Sequence, residues 1–134
     1  MTSVPLFAPL SSADPTDELG RLVAELSRWR LPLTPESALQ RGIDVALAEG
    51  RWSFRREVPL TAAERIDFLV SGRIGLEVKV DGSLSDVTRQ LHRYAMTDGV
   101  AALLLVTTRA KHLELPDTLN GKPLRALHVT RGAF

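Results

Sequence analysis

The sequence predicts an α/β domain in which helices cover a mixed β-sheet, and three observations lead to this fold class. Two amphipathic helical segments come first, three strand-like segments follow, and a further helix precedes the run VAALLLVTT (100–108). An apolar run without alternation is typical of a central strand that is covered on both faces. The order α, α, β, β, β, α, β, followed by a loop and a last strand, is that of a three-layer α/β/α or α+β domain.

Composition sets the broad class of the protein. The chain has 134 residues, of which 44% are apolar and 25% charged, as in a single soluble globular domain. We expect residues 1–13 to be an irregular lead-in and residues 14–134 to form that domain. The absence of cysteine excludes disulfides, thiolate zinc sites and cysteine-held iron–sulphur clusters. No signal peptide or membrane-spanning stretch is evident, so the expected location is cytoplasmic.

Two helices are expected near the N-terminus. The first, roughly 15–30, has Asp14 as its cap, a proline in its first turn and apolar residues at helical spacing. The second would have Thr34 as its cap and Pro35 at its first position, and it would end at Gly50.

The rest of the chain is predicted to be mainly strands, because β-branched and aromatic residues recur between turn residues. A third helix, capped by Ser83 or Ser85, would run to about Thr97, and residues 111–123 are expected to be a loop with little regular structure. The predicted strands are 52–60, 64–70, 73–80, 100–108 and 124–130.

Two carboxylates are expected to meet on the hairpin of the second and third strands. The odd-length loop 71–73, centred on Gly72, would set Asp67 opposite Glu77 on one face of the sheet. Facing carboxylates repel each other, which lowers stability unless a cation lies between them. A hard divalent ion, held by carboxylate oxygens, a backbone carbonyl and water, would remove that repulsion.

Lys79 is the first lysine of the chain, and all Lys or Arg residues before it are arginines. Strand alternation places it on the same face as Glu77. A lysine ammonium can lose its proton when it is desolvated, whereas a guanidinium stays charged, so this position suits a tunable cation. Taken alone, a Glu-x-Lys strand is also common on solvated surfaces.

Polar residues on two predicted helices extend this set. Glu36 lies one turn before the core residue Leu39 and is expected to point inward, although the helix dipole alone would favour an acid there. Gln90 and Tyr94 are spaced i, i+4 and share one helix face, which an ordinary amphipathic helix would also explain.

The order and spacing of these residues resemble the motifs of the PD-(D/E)xK nuclease superfamily, above all its RecB-like and Holliday-junction-resolvase-like branches. Two differences are visible: isoleucine replaces proline before Asp67, and the early helix carries Glu36 where RecB-like members often have a histidine. The likeness covers roughly residues 34–108 and rests on Glu36, Asp67, Glu77-Val78-Lys79 and Gln90-x-x-x-Tyr94.

The resemblance implies a restriction-endonuclease-like core of order αβββαβ, here with an extra N-terminal helix, and the activity of a metal-dependent deoxyribonuclease. It implies that Lys79 is the catalytic lysine and that Gln90 and Tyr94 contact DNA or support the site. The residues implied to bind Mg²⁺ or Mn²⁺, and to act in catalysis with it, are Asp67, Glu77, Glu36 and the Val78 carbonyl.

Because the net charge is only +1, any affinity for DNA must come from local patches of positive charge. Cations around the presumed active-site cleft are needed to position the phosphates. No insertion resembles a target-recognition domain, so we expect a structure-selective or weakly sequence-specific enzyme. Cleavage of two strands would need a homodimer. The apolar stripe of the first helix is expected to be a packing face, although it could also bury against a second subunit. Any single arginine is expected to have a solvated surface role, but as a group near the presumed cleft the expected DNA-binding arginines are Arg41, Arg51, Arg55, Arg56, Arg73, Arg89 and Arg93.

Two other hypotheses stay open. The chain could be a nuclease-fold module without catalysis that binds nucleic acid or a protein partner, or a small α/β protein in which the pattern is accidental. The three histidines, His92, His112 and His128, are too scattered to form a metal site, and surface or packing roles are expected for them.

Overall fold

A computed structural model describes residues 14–131, and the predicted lead-in of residues 1–13 lies outside this range. Within it the chain forms three α-helices, a short 3₁₀-helix and six strands. In chain order these are α1 (Pro15–Ser27), α2 (Glu36–Glu49), β1 (Phe54–Pro59), β2 (Arg65–Val70), β3 (Ile74–Lys79), α3 (Leu84–Ala95), β4 (Ala102–Thr107), the 3₁₀-helix (Ala110–Glu114), β5 (Thr118–Leu119) and β6 (Lys122–His128).

The strands form one mixed sheet in the order β1-β2-β3-β4-β6-β5. The pairs β1–β2, β2–β3 and β5–β6 are antiparallel, whereas the pairs β3–β4 and β4–β6 are parallel. Every residue of β4 is buried, so the prediction of a central strand covered on both faces is confirmed.

Apolar side chains pack on both faces of this sheet in two separate cores. One core lies under α1 and α2, and the other lies under α3. The chain therefore has an α/β fold with a six-stranded mixed sheet, and its helices are compatible with the predicted three-layer arrangement.

The apolar stripe of α1 belongs to the first of these cores. Leu19, Leu22 and Leu26 are at most 1% exposed, and α1 packs against β4 and β6. Full burial of a leucine side chain contributes about 1.5–3 kcal/mol, so this stripe holds α1 on the sheet. It is not a free face for a second subunit, and the expectation that it could bury there is corrected.

The helix starts differ in one respect from the prediction. The Asp14 side chain caps α1 by accepting the Thr16 N–H at 2.8 Å, as expected. In α2, however, Pro35 occupies the N-cap position with extended backbone, the helix begins at Glu36, and no side chain caps it. Thr34 is therefore not the cap, because the chain is still extended one residue beyond it.

The segment 111–123 is more regular than predicted. It contains most of the 3₁₀-helix, and β5 then pairs with β6 through a tight turn at Asn120 and Gly121. Both turn residues have positive φ, 50° and 74°, which is the backbone that a type I′ hairpin turn requires. The Asn-Gly pair was the signal for this hairpin, and the prediction of an irregular loop is wrong.

Glu57 interrupts the regular alternation of β1. Phe68 packs under α1 and α2, whereas Ile66, two residues earlier on β2, packs under α3 together with Val58 of β1. Between them Glu57 adopts a φ of 53°, and the neighbouring pairs place it opposite Asp67. In a regular strand, residues two apart lie on the same face of the sheet. This alternation is interrupted at Glu57 on β1 and at Asp67 on β2, so the side chains before and after each of them lie on opposite faces. A left-handed residue within a strand turns the following side chain over.

Replacing Glu57 with glycine should raise the free energy of unfolding by about 0.5–1 kcal/mol. Glycine removes the roughly 1–2 kcal/mol penalty of a left-handed L-residue and adds about 0.5–1 kcal/mol of backbone entropy. Urea denaturation measures the change. The matched control is Arg55→Gly at a regular exposed position of the same strand, which should lose about 0.5–1 kcal/mol. An equal decrease in the free energy of unfolding of both variants would contradict backbone strain at Glu57.

Candidate functional site

Where the β2–β3 ladder ends, side-chain carboxylates replace backbone carbonyls as hydrogen-bond acceptors between the two strands. The pairing runs from Val70–Ile74 to Phe68–Leu76, and its continuation sets Asp67 opposite Glu77, as predicted. At that point the Asp67 N–H donates to Glu77 Oε1 at 3.1 Å, and the Val78 N–H donates to Asp67 Oδ2 at 2.8 Å. Each carboxylate therefore caps a backbone donor of the opposite strand, and the two acids form a pair between the strands.

Burial raises the pKa of both carboxyls in this pair above their ordinary values. Glu77 is only 4% exposed, and its burial, together with repulsion from Asp67, raises its pKa to about 8. Burial also raises the pKa of Asp67 to about 6, against the hydrogen bond from Val78. Because the two carboxyls interact this strongly, they titrate as a unit, and near neutral pH the pair holds about one proton.

Lys79 lies beside this pair. Its Nζ is 3.8 Å from Glu77 Oε2, and a quarter of its side chain remains exposed. The positive charge opposes the rise in the pKa of both acids. The prediction that this lysine accompanies the two carboxylates is therefore confirmed by their positions.

Tyr94 and Gln90 support the pair from α3. The Gln90 amide donates to the Tyr94 hydroxyl at 2.9 Å, and that oxygen lies 3.1 Å from Glu77 Oε2 and 3.0 Å from the Arg65 carbonyl. Burial and the charge of Glu77 raise the pKa of Tyr94 above its ordinary value. Tyr94 is 1% exposed and its hydroxyl faces Glu77, so of its two expected roles its position fits support of the site and not contact with DNA.

Glu36 lies near the pair without joining it. It is the first residue of α2, it is half-buried, and its Oε2 accepts a long hydrogen bond of 3.4 Å from Gln40. The negative charge of Glu36 contributes to the raised pKa of Asp67. However, residues 14–131 contain no group of three or more acidic, histidine or cysteine side chains at metal-binding spacing. The structure thus assembles two of the three predicted acids.

The Val78 carbonyl faces the gap beside Asp67. In an extended strand the N–H and C=O of one residue point to the same side, and the Val78 N–H is bonded to Asp67. The next residue points the other way, because the Lys79 carbonyl accepts the Thr108 N–H that follows β4. Val78 therefore directs its carbonyl away from β4 and towards β2, beyond the end of their ladder.

The oxygens at this gap have the chemistry that a hard divalent cation prefers. Asp67 Oδ1 accepts no hydrogen bond within residues 14–131, and the Val78 carbonyl faces the same gap. A cation there would replace the shared proton and relieve the repulsion between Asp67 and Glu77. The residues that could hold such an ion are Asp67, Glu77 and Val78.

Two of the arginines expected to contact DNA have structural partners instead. Arg56 donates to Asp44 at 3.3 Å, and its Nε is buried without a partner. Arg73 donates to Glu18 at 2.9 Å and precedes β3, so it lies at the opposite end of that strand from Lys79. Arg73 is thus remote from the acid pair, and its expected role at the cleft is corrected.

The remaining arginines lie on the surface. On α3, Arg89 pairs with Asp86 and Arg93 pairs with Glu64. Such exposed pairs are weak and can be exchanged for phosphate contacts. The other exposed arginines of the expected set are Arg41, Arg51 and Arg55.

His112 has one of the packing roles expected for the histidines, but the sequence did not reveal its hydrogen-bond partners. It is fully buried, with Nδ1 2.6 Å from Thr107 Oγ1 and Nε2 2.8 Å from the Gly82 carbonyl. Thr107 pairs with Lys79 in the parallel ladder. His112 therefore ties the turn after β3 to the end of β4, and it fixes the strand end that carries Lys79. A lone histidine in a predicted loop offers no pattern that would indicate this.

The sequence matches no protein-family model, and no curated protein or solved structure is significantly similar to it. Any functional assignment therefore depends on the residues and geometry described above. No helix within residues 14–131 is both long enough and apolar enough to cross a bilayer.

The raised pKa of Glu77 predicts that metal-free protein loses stability as the pH rises. Above the ordinary value of 4.5 the unfolded chain releases a proton that folded Glu77 keeps up to about pH 8. Stability should therefore fall across this window by roughly 2–4 kcal/mol relative to Glu77→Gln, which keeps the shape and lacks the titration.

Denaturation in EDTA at several pH values measures this difference. Glu49→Gln, at the exposed end of α2, serves as the matched control and should follow the wild type. Parallel curves for wild type and Glu77→Gln would refute the raised pKa of Glu77.

Proposed function

We propose that this protein is a metal-dependent deoxyribonuclease that hydrolyses DNA phosphodiester bonds, using Mg²⁺ or Mn²⁺. The observation that supports this most is the pair of buried Glu77 and half-buried Asp67, with Lys79 Nζ 3.8 Å from Glu77 Oε2. Two acids beside an ammonium and a backbone carbonyl provide oxygen ligands and a cation in one place. A structure-selective or weakly sequence-specific enzyme suits a chain of this size.

In this proposal Asp67, Glu77 and the Val78 carbonyl hold the ion. When bound, a divalent ion polarises the scissile phosphate and lowers the pKa of the attacking water. Lys79 orients that water and stabilises the negative charge that develops on the phosphate oxygens. One such site makes one cut, so cleavage of both strands of a duplex would use two copies of the chain.

The residues around Glu77 keep its carboxylate in place for this role. The Asp67 N–H holds one oxygen and the Tyr94 hydroxyl lies next to the other. Gln90 in turn orients that hydroxyl. Hydrogen bonds to a ligating carboxylate fix its orientation before an ion arrives, so less reorganisation is needed on binding.

One observation favours a second candidate, a module without catalysis that binds nucleic acid or a protein partner. The described residues lack a three-acid group, and both Glu77 oxygens already have partners within the chain. In that case the acid pair would be a structural element that holds β2 and β3 together. Metal binding and cleavage separate the two candidates.

Cleavage of branched, duplex and single-stranded DNA with Mg²⁺ or Mn²⁺ tests the proposal. Lys79→Ala should lower the rate by roughly 100-fold or more, because it removes a cation from the developing charge. Lys111→Ala, an exposed lysine of the 3₁₀-helix, is the control and should cleave like the wild type. Cleavage that persists in Lys79→Ala or Glu77→Ala would remove the assignment.

Titration calorimetry with Mn²⁺ near pH 7 tests the metal site without relying on cleavage. Because the acid pair holds a proton, binding should release about one proton, seen as an enthalpy that changes with the ionisation heat of the buffer. Asp67→Asn should lose this binding, whereas Asp98→Asn, at an exposed loop position, should keep it. Absence of binding in the wild type would favour the module without catalysis.

A further inference from the structure

A basic groove of about 460 Å³ lies between the C-terminal end of α1 and the end of β6. None of the described residues that line it is acidic, and residues 1–13 and 132–134 contain no aspartate or glutamate. We call it the α1–β6 groove, and its basic lining residues are Arg28, Arg30, His128 and Arg131.

The charge of this groove is not a general consequence of an arginine-rich chain. A second groove of about 450 Å³ lies on another side of α1, and its arginines are accompanied by Glu18 and Glu25. Among the described residues, Glu25 pairs with Arg28 of the α1–β6 groove at 4.0 Å, and the Arg28 side chain is 76% exposed. A pair of this length and exposure is worth little, so it leaves Arg28 able to bind an anion.

The groove lies along the same edge of the sheet as Lys79. In the parallel part of the sheet Lys79 pairs with Thr107, and Thr107 pairs with His128. Adjacent strands are about 4.8 Å apart, so the backbone of His128 lies about 10 Å from that of Lys79. One strand carries a phosphate at every nucleotide, so two sites this far apart can contact phosphates of the same strand.

We propose that the α1–β6 groove is a phosphate-binding subsite for the DNA backbone, formed by Arg28 and Arg131. Guanidinium groups bind phosphate through paired N–H donors, whereas the one N–H of the neutral His128 imidazole is directed at a backbone carbonyl. His128 Nε2 is 3.3 Å from the Thr108 carbonyl, an interaction that ties this imidazole to the edge of the sheet. Arg30 has a contact of its own, so the subsite does not depend on it.

The subsite rests on the proposed function, because it takes the phosphate to be that of DNA at the acid pair. Lys79 lies on the face of the sheet that α3 covers, and the α1–β6 groove lies on the face that α1 covers. A strand that crosses this sheet edge from one face to the other would place one phosphate at Lys79 and another in the groove. The groove therefore sets the direction of the strand relative to the acid pair. None of the arginines expected from the sequence to bind DNA lies there.

The double variant Arg28→Gln/Arg131→Gln tests the subsite. Binding of a short fluorescein-labelled DNA duplex, and of its single strand, is measured by anisotropy in EDTA at several salt concentrations. We expect roughly tenfold weaker binding and a salt slope lower by about two contacts. The matched control is Arg21→Gln/Arg125→Gln, which makes the same charge change on α1 and β6 outside the groove and should bind within about twofold of wild type.

Binding in EDTA keeps this test separate from the test of the nuclease. Weaker binding in the groove variant alone supports the subsite even if the wild type does not cleave DNA. Equal affinities for all three proteins, or no binding by the wild type, would overturn the subsite, and cleavage by the wild type would then still support the nuclease. Pyrophosphate binding to the same three proteins is measured as well. If the groove variant loses pyrophosphate binding but keeps its DNA affinity, the subsite is also overturned, because the groove would then serve small anions.

Discussion

The reciprocal hydrogen bonds between Asp67 and Glu77 are the constraint on which the rest of the site depends. Each carboxylate accepts a backbone N–H from the other strand, at 3.1 and 2.8 Å, where the β2–β3 ladder would otherwise continue. Buried carboxylates without such donors would be strongly destabilising. The bonds satisfy the backbone N–H groups and hold the two carboxyls close together, while burial and their mutual repulsion raise their pKa values against these bonds.

The mixed sheet explains why one short strand can carry so many functional groups. β3 pairs antiparallel with β2 and parallel with β4, so successive residues direct their backbone groups to opposite neighbours. The Val78 N–H donates to Asp67, whereas the Lys79 carbonyl faces β4 and accepts the Thr108 N–H. Thr107, which pairs with Lys79, is in turn held by His112. The acid pair and the lysine are thus fixed by different parts of the fold.

Much of this arrangement followed from the sequence, and the exceptions have physical reasons. The pairing of Asp67 with Glu77 could be counted through the three-residue loop, because loop length sets hairpin register. The backbone of Glu57 could not be predicted, since glutamate has no preference for positive φ. The distance from Glu36 to the pair depends on how α2 sits on the sheet, which no periodicity describes. The α1–β6 groove joins Arg28 to Arg131 from opposite ends of the described chain.

Anomalous diffraction from crystals soaked in Mn²⁺ shows whether a cation binds at the acid pair, because it locates an ion without requiring turnover. We expect an anomalous peak in the gap between Asp67, Glu77 and the Val78 carbonyl, with Lys79 beside it. We also expect the peak to disappear when Asp67 is replaced by asparagine. Soaked wild-type crystals with no peak at this gap, and with the hydrogen bonds of the acid pair intact, would rule out this metal site.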